Sequence, residues 1–184
     1  TPMGYEVFPA NGNFFYSHSY AQFNSEPFTH TGALATYKVD DQLSIMGGWV
    51  LGWDSGFDQY RDANAIHSGF IYQPCDNVKH SYMMTGGDLG WRGDGYSHSY
   101  VLDLTLSSKW QYVFQTDLLT AETNNDLNDA LSYGVVNYLF YTINDCWKWG
   151  TRAEWWKSNT AVADDTMSFY EVTTGLNYKA SANL

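Results

Sequence analysis

The chain has 184 residues, a formal net charge of −11 and an aromatic content of 18%, with 8 Trp and 15 Tyr. That acidic balance speaks against nucleic-acid binding, which needs a basic footprint, and no run of about 18 apolar residues exists to make a transmembrane helix. A mean hydropathy of −0.39 reads as a soluble protein, yet so many rings would be unusual for one. A transmembrane β-barrel reconciles the two, because only alternate residues of each strand must be apolar.

In chain order, Thr1-Pro2-Met3-Gly4-Tyr5 has neither the basic start nor the apolar core of a signal peptide. Residues 1–13 carry two prolines and two glycines without clean alternation, and are the candidate for a loop folded inward, with Tyr5 or Phe8 packing inside. Less regular strands are expected at Asn13–Gln22, Phe28–Val39, Ala65–Gln73, Lys79–Trp91 and Ala130–Tyr141. Cleaner period-2 alternation runs through Leu43–Trp53, Ser99–Leu106, Trp110–Leu118, Cys146–Trp156 and Tyr170–Lys179. In Cys146–Trp156 the charges Lys148, Arg152 and Glu154 share one face, and Trp147, Trp149 and Trp155 share the other.

About ten strands result. Tight turns at Asp40-Asp41, at 74–77, at Ser107-Ser108 and at 143–145 alternate with longer polar segments at 54–64, 92–97, 121–129 and 159–166. Short turns at one end and long loops at the other are the pattern of outer-membrane barrels. The expected fold is therefore all-β, an antiparallel up-and-down transmembrane β-barrel, with residues 1–184 as one barrel domain. The end at Lys179-Ala180-Ser181-Ala182-Asn183-Leu184 is not the aromatic closing strand of such barrels. The expectation is a segment of a larger barrel, incomplete at both ends, and pairing of the first strand with the last would refute it.

In a membrane the ring-bearing faces meet lipid. Trp49, Trp53, Trp91, Trp110, Tyr112, Trp147, Trp149, Trp155 and Tyr178 are expected in two interfacial girdles. The opposite face would line a wet pore with Lys38, Asp103, Gln111, Gln115, Asp117, Lys148, Arg152, Glu154, Glu171 and Lys179. Mixed charge there predicts weak ion selectivity, and cross-strand pairing of Lys148, Arg152, Glu154 and Glu171 is an equally good reading of those four.

Asp54, Asp58, Asp62, Asp94, Glu122, Asp126, Asp129, Asp164 and Asp165 make the loops acidic. Loop-bound calcium is conceivable, and loop solubility explains the pattern more simply. Five histidines sit on or near strands, with Tyr-Ser-His-Ser-Tyr at 16–20 and again at 96–100; strand-end hydrogen bonding is favoured over a metal site joining His18 and His30. No catalytic motif is present, and no enzyme activity is expected. Cys75 and Cys146 fall at turns four strands apart, about 20 Å around the wall at about 4.8 Å per strand, too far for a disulfide.

At Pro2-Met3-Gly4-Tyr5-Glu6, at residues 13–20 (Asn-Phe-Phe-Tyr-Ser-His-Ser-Tyr) and at residues 27–32 (Pro-Phe-Thr-His-Thr-Gly), the chain resembles the OmpL-like β-barrel porin family (putative beta-barrel porin-2). Gly47-Gly48-Trp49, Gly52-Trp53-Asp54 and Gly175-Leu176-Asn177-Tyr178 extend the likeness over essentially the whole chain. The resemblance implies an outer-membrane barrel with further strands on both sides, in a Gram-negative-type bacterium. It also implies passive diffusion of small hydrophilic solutes, and it assigns no functional residues. Lipid and lipopolysaccharide are the expected surroundings, and a homotrimer is plausible. Two other readings remain: a secreted carbohydrate-binding β-sandwich or lectin-like protein, and a non-conducting structural or adhesive barrel.

Overall fold

The computed structural model describes residues 2–57, 62–122, 130–159 and 166–180. Nine strands follow in chain order: β1 (Gly32–Lys38), β2 (Leu43–Val50), β3 (Asn64–Cys75), β4 (Val78–Asp88), β5 (Asp94–Thr105), β6 (Trp110–Glu122), β7 (Ala130–Thr142), β8 (Trp147–Asn159) and β9 (Thr166–Tyr178). Each pairs antiparallel with the next, in one sheet of order β1 to β9. The up-and-down meander is thus present. Its sheet is open: among the described residues, β1 and β9 each pair on one side only.

Local chemistry explains the short turns. Asp40 Oδ1 accepts from the backbone N–H of Gln42 and Leu43, both at 2.8 Å. Ser107 Oγ accepts from Lys109 and Trp110, and Asn144 Oδ1 from Cys146 and Trp147. Short polar side chains that bond the backbone two or three residues on favour turns over extension. In the remaining short turn Cys75 pairs with Val78 across two residues, and the register shifts between Tyr72 and Cys75. Pro74, which has no N–H for the ladder, sits at that irregularity.

The meander puts the other connections at the opposite end of the sheet. The link between β4 and β5 spans only residues 89–93, with a 3-10 turn at Gly90–Arg92, so β5 starts earlier than the sequence pattern suggests. Residues 123–129 and 160–165, with Asp126, Asp129, Asp164 and Asp165, lie outside the described residues, as does Asp58.

One expected strand is absent. Residues 13–19 are irregular, and Tyr20–Asn24 form a short helix, α1, capped by Ser19, whose side chain accepts from Gln22 N. The alternation read over 13–22 was a run of side chains packed onto the sheet, with no partner strand beside it. A second correction concerns β2, which ends at Val50 and does not reach Trp53. Gly52 lies at φ 91° and Asp54 at φ 52°, a conformation that ends extended pairing.

The two faces of the sheet differ. Residues 2–31 lie against one of them, here the inner face, through contacts with Ser97, Gln115, Ser132, Tyr138, Phe140, Arg152 and Glu154. The main core forms there, from Phe15, Ala21, Val101, Val113, Val136, Tyr138, Phe140 and Trp156. On the outer face Tyr37, Ile45, Trp49, Ile66, Phe70, Tyr72, Trp110, Trp147, Tyr170, Val172, Leu176 and Tyr178 stay exposed.

Candidate functional site

The inner face is built around buried charge. Arg152 is fully buried; its Nη1 donates to Glu6 Oε1 at 2.5 Å and to the Ser17 carbonyl, and its Nη2 to Glu171 Oε1 at 2.6 Å. Tyr138 also donates to Glu6 Oε1, and the Ser19 backbone N–H to Glu6 Oε2. Burial of charge is tolerable when each ion finds an opposite partner and further hydrogen bonds, and this arrangement meets that condition. Two residues along β8, Glu154 accepts from Tyr20 N at 2.7 Å and Ala21 N at 2.8 Å. Those N–H groups of the first turn of α1 would otherwise lack partners.

A second anchor lies on β6. Gln115 donates from one nitrogen to Glu26 Oε1 and to Asp117 Oδ2, while its Oε1 accepts from Tyr5 N. Burial, and next the charge of Asp117, raise the Glu26 carboxyl well above the usual glutamate range. Gly4 lies at φ 77°, and a Cβ there would fall 2.1 Å from the Glu26 carboxylate, so this position requires glycine. Ser25 completes the seam, with Ser132 Oγ at 2.8 Å, Trp156 Nε1 donating to its hydroxyl and Ser97 donating to its carbonyl.

The residues expected to line a pore thus divide in two. Gln115, Asp117, Arg152 and Glu154 are buried beneath the N-terminal segment, with Glu171 beside them and partly exposed. Asp103, Gln111 and Lys148 stay open toward the short-turn end. There Gln111 donates to Asp103, and Lys148 Nζ reaches Gln111 Oε1 at 3.4 Å and stands over the Phe140 ring. Lys38 pairs with Asp41 at the exposed rim, and Lys179, just past β9, is exposed at the same end.

On the outer face the rings expected in girdles separate by height. Near the short turns Trp110 packs on Tyr141 and Trp147 on Tyr178, both with centroids 4.6 Å apart. Tyr112 and Trp149 belong to this band. Trp49 and Trp155 lie toward the other end, the latter against Tyr133. Trp53 departs from its expected place. The left-handed residues beside it break the period of two, and it turns inward, fully buried with Val50, Ala65, Leu89 and Leu119. Trp91 sits in the 3-10 turn, half-exposed, donating to the Trp53 carbonyl, with the Arg92 guanidinium 4.3 Å from its ring.

Asp54 serves the loop internally by accepting from Thr29 N. Among the described residues no three His, Cys, Asp or Glu side chains gather as a metal site, Asp62, Asp94 and Glu122 included. His18 contacts the Phe8 carbonyl and Glu6, and His30 lies against His67, not His18. Cys75 and Cys146 are free, exposed thiols. The inward segment reaches well past residue 13. Glu6 and Glu26, which anchor it, were not singled out from the sequence, and an isolated glutamate gives no local signal of its burial.

An antiparallel meander that exposes large apolar side chains on one face and gathers its charged side chains on the other is the wall architecture of porin-type proteins. The family model described as "Putative beta-barrel porin-2, OmpL-like" matches residues 1–184, and the chain belongs to that family. No curated protein and no solved structure matches it.

Proposed function

We propose that this chain forms wall strands of an outer-membrane porin in a Gram-negative-type bacterium, admitting small hydrophilic solutes by passive diffusion. The observation that carries this reading is the row of large apolar side chains left exposed opposite the polar face. In water such a surface would be a liability, whereas against lipid it is what a spanning sheet requires. Strands of 11–13 residues from β3 to β9 suffice for a tilted span, which needs about 9–11. Lipid cannot tolerate an open sheet edge, so strands beyond β1 and β9, or those of a neighbouring copy, would complete the wall.

On this reading residues 2–31 narrow the pore, and Asp103, Gln111 and Lys148 line the passage left open. The outer face meets lipid, and the loop ends meet lipopolysaccharide. Conductance in a planar bilayer tests the function: ohmic steps support it, and a folded, inserted protein without current favours the second reading. That alternative is a plugged barrel, and the buried Glu6–Arg152–Glu171 network is what favours it. A protein that stays monodisperse in water without detergent would defeat both.

A further inference from the structure

We propose that the inner face of β2–β4 holds a site for a soft monovalent d10 cation, copper(I) or silver(I), between His30 and His67 with Met46 and Met83 as thioether donors. The two imidazole rings lie 4.5 Å apart, one inclined at 61° to the other. His67 is almost wholly buried, and its Nδ1 meets Thr85 Oγ1 at 2.8 Å. Its Nε2, and both ring nitrogens of His30, are buried with no hydrogen-bond partner. A neutral imidazole carries one N–H and one lone pair, and leaving several such atoms unpaired together is unfavourable. A cation between the rings would engage the free lone pairs.

The register adds sulfur. Gly48, His67 and Thr85 form one row of the inner face, and Met46, Gly69 and Met83 form the next. Gly69 has no side chain, and Met83 Sδ occupies the space a Cβ would take there. His67 and the two methionines therefore stand in adjacent rows of one face, with Met83 Sδ over Gly69 between them. A cavity of about 130 Å³ adjoins the two rings, lined besides them by Pro2, Gly32, Ala33, Leu34 and Val50.

The donor set chooses the ion. All four groups are neutral, so a monovalent ion carries less uncompensated charge into this interior than a divalent one. Thioethers select copper(I), whereas calcium and magnesium need oxygen ligands.

The test uses the full chain folded in detergent, with Cys75→Ser and Cys146→Ser because exposed thiols compete for the same ions. Copper(I) under a reductant, and silver(I) separately, are titrated against a competing chelator. One equivalent is expected, bound far more tightly than zinc(II), with X-ray absorption showing nitrogen and sulfur scatterers together. His30→Leu, which changes a residue outside the strands, should weaken binding by more than about tenfold, the scale of loss on altering a metal site's support. Met46→Leu combined with Met83→Leu should remove sulfur from the spectrum. Unchanged affinity in His30→Leu, zinc bound as tightly as copper(I), or a shell of nitrogen and oxygen alone would each overturn the proposal. Binding is read without conductance, so a non-conducting protein leaves this test intact.

Discussion

Arg152 shows how the same residue can be placed well and read incompletely. Alternation in β8 puts it on the polar face, but its partner Glu6 lies 146 positions away, beyond any local pattern. Because it compensates two carboxylates, Arg152→Ala should cost about 3–5 kcal/mol, the penalty for orphaning buried charge. Urea unfolding in detergent checks this, and Glu6→Gln combined with Arg152→Met should cost less than the single change. Glu26 makes a pH prediction. Its folded pKa lies above the ordinary value of 4.5, so between the two values the folded state holds the proton more tightly than the unfolded one. Stability therefore falls as pH rises from about 4.5 through that window, and levels off above the folded value. Glu26→Gln should flatten this limb in unfolding measured across the same range.

At the level of elements, the strands and short turns were readable because their causes are local. Side chains alternate along each strand, and Asp40, Ser107 and Asn144 bond backbone two or three residues on. The segment 2–31 was only partly readable. Its prolines and glycines marked residues 1–13 as non-strand, whereas Phe15, Ser17 and Ser19 imitate alternation without pairing. Trp53 misled for a related reason: one left-handed glycine shifts the phase, and the pattern before it does not announce the turn. Gly4→Val tests what the segment does. It adds a side chain where the Glu26 carboxylate lies and where φ is positive, so the segment should undock. Single-channel conductance should then rise, and unchanged conductance would remove this segment as the constriction.

Across the molecule, the lipid-facing assignment can be probed at Val172, which is 78% exposed at the middle of β9. In a water-facing sheet Val172→Lys would be nearly neutral. Facing the bilayer midplane it should cost about 2–4 kcal/mol, measured as folding free energy into lipid vesicles. Lys148 occupies the open part of the inner face, so Lys148→Glu should shift the reversal potential toward cations while leaving the fold intact.

Period-two alternation and turn chemistry act over a few residues, and the order of residues alone therefore settled an antiparallel meander with unlike faces and with turns of different length at its two ends. Covering one face with residues 2–31 was legible only in the folded chain. It depends on pairings such as Glu6 with Arg152, Tyr20 with Glu154 and Glu26 with Gln115, which join positions about a hundred or more apart. The same long-range packing separated a buried charge network from the open row of Asp103, Gln111 and Lys148, and set His30 against His67. Desolvation and partner geometry decide those outcomes, and neither is a property of a short stretch of chain.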